Sequence, residues 1–122
     1  PTFKIAQFNR SKHNPGIIKA WHLQLRQDML WYVSPTDHLF VGLWDIRSAS
    51  RTKGKTMRIV LGGGNSTLLF IPRGVSHGSA NFIDRTVDLY YVTNKHFNPK
   101  QSDEKRLPWD FLGADFWTPS KE

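Results

Sequence analysis

Apolar and polar residues alternate along this chain in short runs, and the runs are broken by Gly, Pro, Asn and Asp at regular intervals. Residues 1–14 begin with alternation at Phe3, Ile5, Gln7 and Asn9, which predicts a strand leading into a polar loop, RSKHNPG. Ile17–Gln24, Asp28–Ser34 and His38–Arg47 are rich in β-branched and aromatic residues and predict three further strands. Gly42 inside the third of these marks an expected bulge. A basic loop, Ser48–Lys55, then leads to a strand over Thr56–Leu61 and a glycine-rich turn at 62–65. Leu68–Pro72 and Val75–Asn81 form a hairpin around Pro72-Arg73-Gly74, where proline presets one backbone angle and glycine permits the next. Thr86–Thr93 is the last strand of this pattern, with Leu89 and Tyr91 on one face and Asp88, Tyr90 and Val92 on the other. Asn98–Pro108 reads as a surface loop, and Trp109–Trp117 as an aromatic segment with one helical turn that packs onto the rest.

Seven to nine short strands without an amphipathic helix predict an all-β fold, two antiparallel sheets closed into a barrel or sandwich. A length of 122 residues suits a single domain over 1–122. No apolar run approaches the length needed to cross a membrane as a helix. The absence of cysteine removes disulfides and thiolate metal sites and fits a cytoplasmic protein. The glycine triplet Gly62-Gly63-Gly64 lacks the following Lys and Ser/Thr of a phosphate loop.

Charge changes the picture more. The net charge is +7, and all of the excess lies in residues 1–60, which hold ten Lys/Arg against three Asp. Such a field favours an anionic partner, either nucleic acid or a nucleotide diphosphate. The aromatic residues lack the interleaved pattern that base stacking needs, which disfavours nucleic acid.

Five histidines are candidates for chemistry. His13 and His96 fall in expected loops and His38 at a strand start, so these three read as surface residues. His22 and His77 lie mid-strand. An imidazole titrates near neutral pH and can serve as acid or base.

The spacing Pro72-x-Gly74-x-x-His77-x-x-x-Asn81 resembles the second signature of the cupin superfamily, small β-barrels with an internal ligand cavity. Metal-binding cupins carry a second histidine and an acid after the first one. Here those positions hold Gln24 and Gln27, poor ligands for a transition metal, so neither a metal nor any other cofactor is expected.

Six segments in order resemble the dTDP-4-dehydrorhamnose 3,5-epimerase family, metal-free cupins of nucleotide-sugar metabolism. They are Gln7-Phe8-Asn9 with Ser11-Lys12; Ile18–Gln24; Trp44–Arg47 with Ser50, Thr52 and Gly54; Leu61 with Asn65, then Ile71–Gly78; Leu89-Tyr90 with Thr93-Asn94; and Trp109-Asp110 with Trp117. The resemblance implies a jelly-roll barrel and a nucleotide-sugar ligand. It implies His22 as the base that removes a proton beside the sugar ketone and Tyr90 as the acid on the opposite face. Gln7, Asn9, Gln24 and His77 would line the pocket, and Lys19 would hold the diphosphate. The family also implies a homodimer.

In a regular strand Lys19 and His22 face opposite ways, so both reach one ligand only across an irregularity. Three departures from the family stand out. Met29 occupies the place of a lysine that stabilises the enolate oxygen. The aspartate that pairs with the family's histidine, past the Trp-Pro region, and the N-terminal segment that swaps onto a second subunit are both expected to be missing. A non-catalytic module that binds a nucleotide sugar or another carbohydrate is the alternative these departures raise.

Overall fold

The computed structural model describes residues 3–96, 100 and 104–118. Among the described residues there are nine strands: β1 (Gln7–His13), β2 (Ile18–Gln24), β3 (Met29–Val33), β4 (His38–Asp45), β5 (Thr56–Gly62), β6 (Leu68–Ile71), β7 (Val75–Ala80), β8 (Val87–Thr93) and β9 (Glu104–Arg106). They form two antiparallel sheets, in the orders β1-β8-β3-β6 and β5-β4-β7-β2-β9. The all-β, two-sheet architecture expected from the turn spacing is therefore present.

One part of the space between the sheets is packed and the other is open. Val33, Leu39, Val41, Leu61, Ile71, Val75, Val87 and Leu89 fill the packed part. Full burial of an aliphatic side chain of this size contributes about 1.5–3 kcal/mol, so this cluster is the main stabilising element of the sandwich. The open part lies between β1 and β8 on one side and β2, β7 and β9 on the other, and it holds the cavity described below.

A second cluster covers the outer face of the five-stranded sheet. Trp21 and Phe40 project outward there and meet Phe116 and Trp117 of a short 3-10 turn, Ala114–Trp117. The Trp21 ring lies 5.0 Å from Phe116 and 5.2 Å from Trp117. Gly42 and Gly78 are neighbours beneath this aromatic lid. A Cβ on Gly42 would lie 2.5 Å from the Phe116 ring, and one on Gly78 would lie 2.5 Å from the Ala20 Cβ and 2.8 Å from Trp117. Gly42 thus marks a close approach of rings to the sheet and not the expected bulge: β4 pairs without interruption from His38 to Trp44.

The segment read as a surface loop over 98–108 contains β9, which pairs with β2. Its residues 98, 99 and 101–103 lie outside the described residues. Leu107 continues the attachment through reciprocal backbone bonds with Trp21, each 3.0 Å.

The loop after β4 is anchored by the buried Asp45. Arg47 donates to both of its carboxylate oxygens at 3.0 Å, and the Ser50 and Thr52 hydroxyls donate to one of them. The Arg47 hydrogen bonds, helped by these hydroxyls, hold the Asp45 carboxyl well below the usual carboxylate range against the opposing effect of burial.

Candidate active site

The cavity has a volume of about 1260 Å³, roomy enough for a ligand larger than one sugar ring. Gln7, Asn9 and Ser11 of β1, Met29 and Trp31 of β3, and Leu89, Tyr91 and Thr93 of β8 form one wall. Ile18, Lys19, Ala20, His22 and Gln24 of β2, His77 and Ser79 of β7, and Glu104 and Arg106 of β9 form the other.

Lys19 and His22 both face this cavity because β2 is irregular between them. Lys19 pairs with Ser79 and His22 with His77, so three steps of β2 run against two of β7. One extra residue reverses the alternation of faces. The irregularity that these two positions require is thus present.

His22 donates from Nδ1 to the Glu104 carboxylate. A carboxylate that keeps its charge can only accept, so Nδ1 carries a proton, and in the neutral form of the ring Nε2 keeps the lone pair. Burial raises the Glu104 carboxyl, but the hydrogen bond and charge of His22, followed by Arg106, outweigh it and bring the group below its ordinary value. Arg106 Nε donates to the same oxygen, Glu104 Oε1, at 3.2 Å.

His77 stacks on His22 with ring centroids 6.1 Å apart, and Trp31 meets it edge-on at 5.2 Å. Its Nδ1 donates to the Val75 carbonyl at 3.3 Å. Burial lowers its pKa to about 4, with a smaller contribution from the His22 charge, so His77 is neutral at pH 7.

His13 is the largest departure from the sequence reading. It was expected on the surface but is 1% exposed, at the end of β1 facing the cavity. Its Nδ1 donates to the Ser11 carbonyl at 3.3 Å, and its Nε2 accepts from the Ser79 hydroxyl at 2.7 Å. Burial, followed by the charge of Lys19, lowers its pKa to about 4. Lys19 Nζ donates to Ser11 Oγ at 3.1 Å and to the Lys12 carbonyl at 2.8 Å. Burial lowers its own pKa. His96, also expected on the surface, is exposed at the rim, whereas His38 is half-buried.

Tyr90 does not reach the cavity. It points out of the four-stranded sheet, stacked on Phe8 at 6.0 Å. Strand parity is the reason: Leu89 is buried at 3% exposure, so Tyr91, two residues on, shares its inward face and Tyr90 does not. Tyr91 lines the cavity on the wall opposite His22. Burial, followed by the Glu104 charge, raises its pKa, so its phenol keeps its proton.

Lys19, Arg26, Arg73, Lys95 and Arg106 contribute positive charge to the cavity and its rim, and Glu104 is the one carboxylate among the described lining residues. Arg73 is fixed at the rim by Asp28, which accepts from its Nε and Nη2, each at 3.1 Å. A cationic cleft of this kind raises the local concentration of an anionic ligand. Among the described residues, no group of three or more His, Asp or Glu could hold a metal ion.

A polar cavity with an imidazole on one wall and a protonated phenol on the other is equipped for proton transfer. The family model described as dTDP-4-dehydrorhamnose 3,5-epimerase matches residues 2–115. The chain belongs to this family. It is 45% identical over 104 residues to the spore coat polysaccharide biosynthesis protein SpsL of Bacillus subtilis, across 85% of this chain and 68% of that one. The dTDP sugar isomerase of Desulfovibrio desulfuricans superposes with a TM-score of 0.81 at 28% identity, over 96% of this chain and 71% of that one. An epimerase from Legionella pneumophila, solved with dTDP-4-keto-L-rhamnose, superposes with a TM-score of 0.74 at 26% identity, over 88% of this chain and 56% of that one.

Gln7, Asn9, Lys19, His22, Gln24 and His77, the residues singled out by resemblance, all line the cavity. Glu104, Arg106, His13 and Tyr91 also line the cavity and were not expected there. For Tyr91 a signal existed in the alternation from Leu89. For Glu104 there was none, because three residues of strand among charges and prolines carry no periodicity.

Proposed function

We propose that this protein epimerises a nucleotide-linked 4-keto sugar. A proton beside the ketone passes to His22 Nε2, and the electron pair of the broken C–H bond moves into an enolate. Tyr91 then delivers its phenolic proton to that carbon from the opposite face. Solvent restores the Tyr91 proton and removes the one on His22, so the enzyme ends as it began. The observation that carries the reading is the pairing of His22 and Tyr91 on opposite walls of one cationic cavity. Lys19, with the rim arginines, holds the diphosphate, and Gln7, Asn9, Gln24 and His77 contact the sugar.

Replacing Tyr91 by Phe is expected to leave exchange of the sugar proton with solvent in place while net inversion falls, by roughly 10²-fold or more. Tyr90→Phe should change neither. Proton NMR of the sugar in D2O checks both variants, and a Tyr90→Phe variant that loses inversion while Tyr91→Phe keeps it would reverse the assignment.

Met29 favours a second reading, a module that binds the nucleotide sugar without turning it over. It lines the cavity with an apolar thioether and offers the enolate oxygen neither charge nor hydrogen bond. Ligand binding without solvent exchange is the result that selects this reading.

The same proposal includes one domain over 1–122, a cytoplasmic location suited to a cysteine-free chain, and a homodimer. Support for the dimer comes from the outer face of the four-stranded sheet. Phe8, Val92, Leu30 and Phe70 are register partners in one row across all four strands. Phe8 is 65% and Phe70 51% exposed. Light scattering at micromolar concentration should give twice 14.1 kDa, and Phe8→Asp with Phe70→Asp should give 14.1 kDa. A parent chain that runs as a monomer would contradict the dimer.

A further inference from the structure

We infer that Glu104 is the positioning carboxylate of this site: clamped by Arg106, it holds the His22 ring with Nδ1 protonated and Nε2 bare toward the cavity. The inference rests on the epimerase reading for its consequence, but not for its geometry. The partner expected from family resemblance is an aspartate past the Trp-Pro region. Here a different element supplies the carboxylate.

The element is β9, three residues long and attached along the edge of the five-stranded sheet. Arg106 is the register partner of His22 and Glu104 that of Gln24. Residues two apart on a strand share a face, so Glu104 and Arg106 both project from β9 into the cavity wall. The Glu104 side chain is 25% exposed and that of Arg106 is 72% exposed. The carboxylate is therefore sheltered enough to act strongly on the ring beside it, while the arginine reaches it from the solvent side.

Two consequences follow from the chemistry. A neutral imidazole divides between two tautomers unless one nitrogen has a fixed partner, and only the tautomer with bare Nε2 can take a proton from the ligand. Once His22 has taken that proton, its positive ring faces an ionised Glu104. The carboxylate receives no proton at any stage; it orients the ring and stabilises its charge. Tyr91, on the opposite wall, is kept protonated in part by the same charge. One carboxylate therefore biases the base toward accepting and the acid toward keeping its proton until the enolate forms.

The test uses Glu104→Gln, with Arg106→Gln as a second, surface-exposed variant. Long-range 1H–15N spectra of the full chain report which His22 nitrogen carries the proton, without any substrate. The parent should show Nδ1–H, and Glu104→Gln should lose that single form. Exchange of the sugar proton should fall by roughly a hundredfold or more in Glu104→Gln and by several-fold in Arg106→Gln. KM should change by less than about threefold in Glu104→Gln, because its side chain is not assigned to the diphosphate. A His22 tautomer unchanged in Glu104→Gln would overturn the inference whatever the activity. A parent that shows the Nδ1–H form, loses it in the variant, yet never exchanges a sugar proton would uphold the positioning and refute the epimerase reading alone. Should Glu104→Gln fail to fold, an Arg106→Gln chain with unchanged spectra and rate would overturn the clamp.

Discussion

His22→Asn is expected to abolish exchange of the sugar's ring protons with solvent, by roughly 10²–10⁴-fold, while nucleotide binding stays nearly intact. The base starts the reaction, and among the described lining residues none of the other histidines combines its place with its chemistry: His96 is exposed at the rim. His77 is neutral but stacked behind His22 and nine-tenths buried, and His13 lies at the end of β1 with Nε2 occupied by the Ser79 hydroxyl. Binding survives because the diphosphate is assigned to Lys19 and the rim cations. Met29→Lys is the complementary change: it supplies the charge that this wall lacks. Deuterium incorporation followed by NMR, with calorimetry for binding, separates the two effects. A His22→Asn chain that exchanges as fast as the parent would show that the base lies elsewhere.

Acid should destabilise the protein well before its carboxylates are protonated. His13 and His77 are held neutral in the folded chain, each with a pKa lowered to about 4 from 6.5. Between these values the unfolded chain binds protons that the folded chain does not, so stability falls as pH falls. The loss begins near pH 6.5 and is complete near pH 4. Each histidine contributes at most roughly 3 kcal/mol of it, and together they reach a large part of a typical domain's total. The carboxyls of Asp28 and Glu104 are lowered by their partners, Arg73 for the first and His22 and Arg106 for the second, and add a loss of the same sign only at lower pH. Urea midpoints at pH 7.5, 6.0 and 4.5 measure the effect. His77→Asn and His13→Asn should each flatten the slope, whereas an unchanged midpoint across this range would contradict the burial of both rings.

Much of the architecture was readable because turn residues bound short runs of β-branched and aromatic residues at β2, β4 and β8. The reading weakened wherever a strand faces the cavity instead of the core. In β1 the inward residues are Gln7, Asn9, Ser11 and His13, and the outward ones include the exposed Phe8. That is the reverse of the usual apolar-in pattern, so its second half looked like a loop and His13 like a surface residue. Tyr90 was expected in the pocket for a related reason: likeness to a motif stood above the parity set by Leu89, which turns Tyr91 toward the cavity. Parity itself misleads between Lys19 and His22, where the irregularity in β2 turns both inward. Gly42 was noticed but misread, because the rings that need its space come from residues 116 and 117, far along the chain. β9 lay beyond any local rule, since its pairing with β2 is set by tertiary contact alone.

The most direct test of the central claim is incubation of the protein in D2O with dTDP-4-keto-6-deoxyglucose, followed by NMR of the sugar ring. Deuterium is expected at a carbon beside the ketone, and its incorporation should be lost with His22→Asn. A parent chain that leaves the proton at that carbon unexchanged, whether or not it binds the dTDP-sugar, would contradict the claim.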